Sequence, residues 1–133
     1  MLEKLKEIIN NSYAPYSSYH VAALIITKDS KEISGVNVEN ASYGASVCAE
    51  RVAIFKAISM GYKKGDFKEL HILNDSGKKG MPCFICRQVV EEFFNPEDKI
   101  FVYDLSGDFN CYLVKKLCPY PFNSEDLKWK VAL

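Results

Sequence analysis

The sequence predicts an α/β fold: a mixed five-stranded sheet with helices on its faces. Three observations carry that prediction. Five short runs, at 20–27, 32–38, 69–74, 99–105 and 109–114, have strand character. Four segments have helical spacing or helix-end signals. The two kinds follow one another in the order α-β-β-α-β-α-β-β-α, which suits helices packed on a mixed sheet.

Each element has its own justification. Leu2, Leu5, Ile8 and Ile9 recur at helical spacing, so the chain opens on an amphipathic helix. SYAPYSSYH is turn-like, HVAALIIT reads as a buried strand, and EISGVNV follows a turn at 28–31 as its hairpin partner. CAERVAIFKAISM, 48–60, is apolar nearly all round and stops at Gly61, the pattern of a buried helix. ELHILN is the third strand. A second long helix covers 83–94, entered after Pro82. KIFVYDL and FNCYLV are strands joined by a Ser-Gly-Asp turn, and SEDLKW is a short final helix with Ser124 as its N-cap.

The chain has 133 residues, of which 48% are hydrophobic, enough for a packed core. No repeat, low-complexity tract or Pro/Ser-rich linker divides it, so residues 1–133 are expected to form one domain. The N-terminus, MLEKLKEIIN, lacks the apolar run of a signal peptide, and no stretch approaches the roughly 20 apolar residues of a membrane span. A soluble cytoplasmic protein is the expectation. Lys plus Arg and Asp plus Glu each total 17, which lacks the basic footprint of a polynucleotide binder and favours a small-molecule partner. Five cysteines, an odd number, argue against a disulfide framework.

MPCFICRQ, 81–88, carries a C-x-x-C pair that fits a redox couple, half of a structural zinc clip or half of a catalytic metal site. Cys48 supplies a third thiol. With Cys83 and Cys86 it makes three ligands, the number that catalytic zinc sites keep when they leave one place for water. Cys111, Cys118, His20 and His71 are the spare candidates for a fourth ligand, and none is paired with another at ligand spacing. Cys48 and Cys83 open helices, where the dipole stabilises thiolate. Arg51 can donate to the sulfurs and drain charge from them. Glu50, two residues beyond a ligand, could serve as general base and general acid in turn.

The zinc deaminase signature is a zinc-binding His or Cys, one residue, then Glu, and later P-C-x-x-C. The chain has CAE at 48–50 and PCFIC at 82–86. Over nearly its whole length it resembles the small, homotetrameric cytidine deaminases. APYSSYHVAAL (14–24) is similar to their N-terminal substrate loop, GVNVENASYG (35–44) to their ribose-binding strand, and PYPFNSEDL (119–127) to their C-terminal segment. VCAERVAIFKAIS (47–59) and PCFICRQVV (82–90) are similar to their two zinc helices. Five blocks in the right order make the resemblance specific.

The resemblance implies a three-layer α/β/α fold and zinc-dependent hydrolytic deamination of cytidine and 2′-deoxycytidine, with release of ammonia in pyrimidine salvage. Cys48, Cys83 and Cys86 would hold Zn²⁺, and Glu50 would carry the proton to ring N3 and then to the leaving amine. Asn37 and Glu39 would hydrogen-bond the ribose, Tyr19 would pack on the substrate, and the backbone around Ala49 would contact the pyrimidine. Ala41, Tyr43 and Phe122 match positions that serve a neighbouring subunit's site in a homotetramer. The chain departs from the family in having Met81 where serine is frequent, Phe84 where glycine is frequent, and Gly44 after Tyr43. Phe84 is expected to add bulk beside the metal helix and to alter the shape of the pocket. Three other readings are set against this one: a blasticidin S-type deaminase, from which the E-N-A run at 39–41 differs; a non-catalytic zinc module; and a thiol–disulfide oxidoreductase, which leaves Cys48 and Glu50 without a role.

Overall fold

The computed structural model describes residues 1–130, with side chains to residue 128; residues 131–133, the end of the expected 1–133 domain, lie outside the described residues. Five strands, β1 (Val21–Thr27), β2 (Glu32–Val36), β3 (Phe67–Asn74), β4 (Lys99–Tyr103) and β5 (Phe109–Leu113), form one sheet in the order β2-β1-β3-β4-β5. All neighbours are antiparallel except β3 and β4. A parallel pair needs a crossover, which α3 (Phe84–Phe93) provides.

The alternation of side chains along a strand explains the layers. Ala23 and Ile25 of β1 face a core with Leu70 and Ile72 of β3 and with Ala53, Ile54 and Ala57 of α2 (Ala49–Ser59). Ala22 and Leu24 face the other way, onto Leu5 of α1 (Leu2–Ile8). Helix α1 on one face, and α2, α3 and the short α4 (Val114–Leu117) on the other, give the expected three-layer α/β/α arrangement. A β-carbon on Gly35 of β2 would lie 2.5 Å from the Ala49 carbonyl and 2.5 Å from the Ala53 amide. Helix α2 therefore rests backbone-on-backbone against β2, the close approach that a glycine inside a strand permits.

Four local expectations need correction. β2 stops at Val36, because the Asn37 side chain takes over backbone partners: its Oδ1 accepts from the Val21 amide at 2.9 Å and its Nδ2 donates to the Tyr19 carbonyl at 2.8 Å. β4 stops at Tyr103, because Asp104 Oδ1 accepts from the Ser106 amide at 2.9 Å and starts the turn. The C-terminal element is a 3₁₀ helix, Ser124–Lys130, entered through an Asn123 side chain that accepts from the Glu125 amide at 3.0 Å. Finally, α2 is buried on one face only, since the sheet covers one side of it, and Phe55 stays 48% exposed.

Candidate active site

The site forms where two helices begin above the same end of the sheet. Cys48 is the N-cap of α2 and Cys83 the N-cap of α3. Cys86 lies on the first turn of α3, close enough for its amide to donate to Cys83 Sγ at 3.4 Å. The C-x-x-C spacing is local helix geometry, whereas Cys48 arrives through the packing of α2 on Gly35. The ligand atoms of Cys48, Cys83 and Cys86 all lie within 4.8 Å of one another, and Cys48 Sγ stands 3.8 Å from Cys83 Sγ. Two thiolates bound tetrahedrally to zinc at about 2.3 Å stand about 3.8 Å apart, so the donor set fits that ion; a disulfide would need about 2.0 Å.

No fourth His, Cys, Asp or Glu joins this group among the described residues. His20 is held by Asp75, Nδ1 to Oδ2 at 2.6 Å. His71 is buried between the Tyr103 hydroxyl at 2.7 Å and Glu69 Oε1 at 2.9 Å, and stacks on Phe101. Cys111 lies exposed on edge strand β5, and Cys118 is buried with its thiol donating to the Arg87 carbonyl at 3.4 Å. A three-thiol set with one side open to a cleft is the result.

The electrostatics favour thiolate at Cys48. A hydrogen bond from Cys86, with further ones from Arg51 and Cys83, brings its pKa down to about 5 despite burial. Arg51 Nη2 donates to Cys48 Sγ at 3.5 Å, as its place in the sequence suggested. The sulfurs in turn push the Arg51 pKa up. Arg51 Nε is buried without a partner, a cost accepted where the guanidinium is held against the cysteines. Glu50 is 4% exposed, and burial pushes its carboxyl pKa up, with the Cys48 charge acting in the same direction. A carboxyl so placed gains and loses a proton nearer neutral pH than an ordinary glutamate.

An open cleft of about 260 Å³ leads to this cluster. Tyr19, Asn37, Glu39, Cys48, Glu50 and Cys83, all singled out in the sequence, line it. Asn37 and Glu39 also build the wall. Glu39 Oε1 accepts from the Tyr16 and Ser17 amides at 2.9 and 3.1 Å and thereby folds the 14–20 loop, and the Ser17 hydroxyl holds its carboxyl below the usual glutamate range. Ala49 is fully buried at the head of α2, outside the lining. Ala41, Tyr43 and Phe122 are exposed and outside it as well, with Tyr43 beside a shallower pocket that shares Glu39 and Ser46 with the cleft.

Phe84 opens the metal helix α3, but the bulk expected of it does not reach the cleft. Its ring is 75% exposed and lies under the Arg87 guanidinium at 4.3 Å, facing the C-terminal segment. Met81 lines the cleft in its place. The sequence reading missed Asn74, Gly80 and Ile72 as wall residues. A polar residue closing the apolar run ELHILN, and a glycine just before M-P-C, were the available signals.

Comparison with known proteins fits this geometry. A family model described as the cytidine and deoxycytidylate deaminase zinc-binding region matches residues 1–102. The cytidine deaminase of Halalkalibacterium halodurans is 39% identical over 126 residues, spanning 92% of this chain and 94% of its own. The crystal structure of cytidine deaminase from Burkholderia pseudomallei superposes with a TM-score of 0.87 at 37% identity, covering 91% of this chain and 95% of that one. A blasticidin-S deaminase of Bacillus cereus is more distant, 28% identical over 114 residues, with 80% of this chain and 79% of its own covered.

Proposed function

Because the chain belongs to the cytidine and deoxycytidylate deaminase family, we propose that it hydrolyses cytidine and 2′-deoxycytidine to the uridines and ammonia. The observation that carries this reading is the three-thiol cluster, open on one side to a cleft in which a buried glutamate stands two residues from a ligand. When bound, Zn²⁺ supplies Lewis acidity that makes water nucleophilic near neutral pH. Cys48, Cys83 and Cys86 would hold it, and Arg51 would offset their accumulated charge. Glu50 takes one proton from the attacking water and delivers it to ring N3 as the C4–oxygen bond forms, then takes the second proton from the oxygen now on C4 and delivers it to the amine as the C4–nitrogen bond breaks and the C4 carbonyl forms. Its raised pKa suits both directions of transfer.

Asn37 and Glu39 border the ribose. Much of their hydrogen-bonding capacity is already spent on the 12–21 loop, so they offer a rigid edge and not free side chains. Tyr19 forms a side wall, and the head of α2 meets the base through Cys48 and Glu50, which flank the buried Ala49. Ala41, Tyr43 and Phe122 serve a neighbouring copy in a homotetramer, supported by their exposure and by the uncovered Phe55 on α2. No helix among the described residues is long and apolar enough to cross a membrane. All five cysteines are free, which supports a cytoplasmic place in pyrimidine salvage.

The test is ammonia release from cytidine by purified, zinc-loaded protein, alongside blasticidin S. Ammonia in step with uridine supports the reading. Folded, zinc-bound protein that leaves cytidine intact, or prefers the antibiotic, overturns it.

A further inference from the structure

Gly80 lies where no side chain fits. A β-carbon there would stand 2.5 Å from the Tyr19 hydroxyl oxygen and 2.4 Å from Asn74 Nδ2. Gly80, Tyr19 and Asn74 all line the cleft, and they come from separate segments. Tyr19 ends the loop before β1, Asn74 ends β3, and Gly80 belongs to the link that runs through Pro82 into α3 and its two cysteines. The space that a methyl group would take is shared by the tip of Tyr19 and the Asn74 amide.

We infer that Gly80 is a positioning residue for the cleft: its missing side chain is the seat on which the Tyr19 hydroxyl rests, and that seat fixes the aromatic wall against which substrate binds. The inference rests on the deaminase reading for its substrate and on the geometry alone for the seat. The two crowded neighbours differ in how freely they can give way. Asn74 is 1% exposed and tied at both ends of its amide: Nδ2 donates to the Lys78 carbonyl at 3.0 Å, and Oδ1 accepts from the Ser76 amide at 2.8 Å. Tyr19 is 41% exposed, and only its backbone is tied, its carbonyl accepting from Asn37 and its amide donating to Ser17 Oγ. A methyl group at Gly80 therefore moves the Tyr19 ring first. The Gly80 backbone does not have a positive φ, so alanine brings no conformational strain of its own.

A double-mutant cycle of Gly80→Ala and Tyr19→Phe tests this, read out in two ways. The thermal midpoint, measured with zinc content to confirm that Cys83 and Cys86 still hold metal, reports the contact without any activity. Removing the hydroxyl relieves one of the two close contacts and leaves only the Asn74 amide against the new methyl group, so Tyr19→Phe should raise the midpoint of Gly80→Ala by more than it changes wild type. Kinetics on cytidine report the wall. Gly80→Ala should raise KM by about tenfold with kcat within about threefold, the signature of lost binding without lost chemistry. Tyr19→Phe should then lower KM in the Gly80→Ala background, a gain it does not give in wild type. Additive effects in both readouts, or a wild-type KM for Gly80→Ala, overturn the inference. A wild-type protein that leaves cytidine untouched sinks the deaminase reading instead, and the thermal cycle still decides whether Gly80 seats Tyr19.

Discussion

Substituting Gly35 by alanine should damage the site from beneath. The new β-carbon would meet the Ala49 carbonyl and the Ala53 amide, both at 2.5 Å. These are helix backbone atoms, so no rotamer change relieves the clash. Ordinary contact begins near 3.4 Å, so α2 must lift off β2 by about 0.9 Å. Over-packing of this kind costs about 1–3 kcal/mol of stability. The lift also moves Cys48 and Glu50, which sit at the end of α2 directly above Gly35, relative to Cys83 and Cys86 on α3. A misplacement near 1 Å costs on the order of 10²-fold in rate. Urea unfolding, zinc stoichiometry and kcat/KM on cytidine measure the three consequences. Stability within about 0.5 kcal/mol of wild type together with unchanged kcat/KM would refute the idea that backbone contact at Gly35 sets the height of the catalytic helix.

Other outcomes follow from the same geometry. Glu50→Gln should keep zinc and fold while losing at least about 10²-fold in kcat, since a neutral amide fills the buried place without carrying a proton; near-normal turnover would end the proposed proton path. Arg51→Gln removes the charged donor to Cys48, and zinc affinity measured against a competing chelator should fall by about 10–100-fold with the helix intact. His71 should weaken the protein in acid. Burial lowers its pKa below that of a free histidine, about 6.5, so the native state prefers neutral imidazole; stability is kept above about pH 6.5 and lost as pH falls below it. Urea midpoints at pH 7.5 and 5.5 should therefore differ less in His71→Gln than in wild type. If sites are shared between copies, mixing Phe122→Ala with Glu50→Ala under subunit exchange should restore activity beyond the sum of the two, because each supplies what the other lacks; a merely additive mixture would argue for self-contained sites.

What the sequence determined by itself is what depends on neighbours along the chain. The continuous apolar run at 20–27 reads as a strand buried on both sides, and Ala23 and Ile25 do face one core while Ala22 and Leu24 face the other. Cys83 and Cys86 share the first turn of a helix because a spacing of three allows little else, and Glu50 follows Cys48 at the head of another for the same reason. The three thiols of the cluster were therefore legible as residue types and spacings, together with the order of strands and helices. Strand ends were less legible. Asn37 and Asp104 end β2 and β4 by hydrogen-bonding to other backbone, at Val21 and Tyr19 in one case and in a tight turn in the other, and only the folded chain selects those partners. Tertiary structure alone decided distances between segments far apart in sequence. Cys48 meets Cys83 across 35 residues because Gly35 lets α2 down onto the sheet, and Gly80 leaves the room that Tyr19 fills. It also decided direction: Phe84 turns to the Arg87 guanidinium and leaves the cleft to Met81. Helical periodicity assigns a residue to a face, but whether that face looks onto the cleft or onto the C-terminal segment depends on how the helix is rotated against the sheet. That rotation is set by packing summed over the whole core.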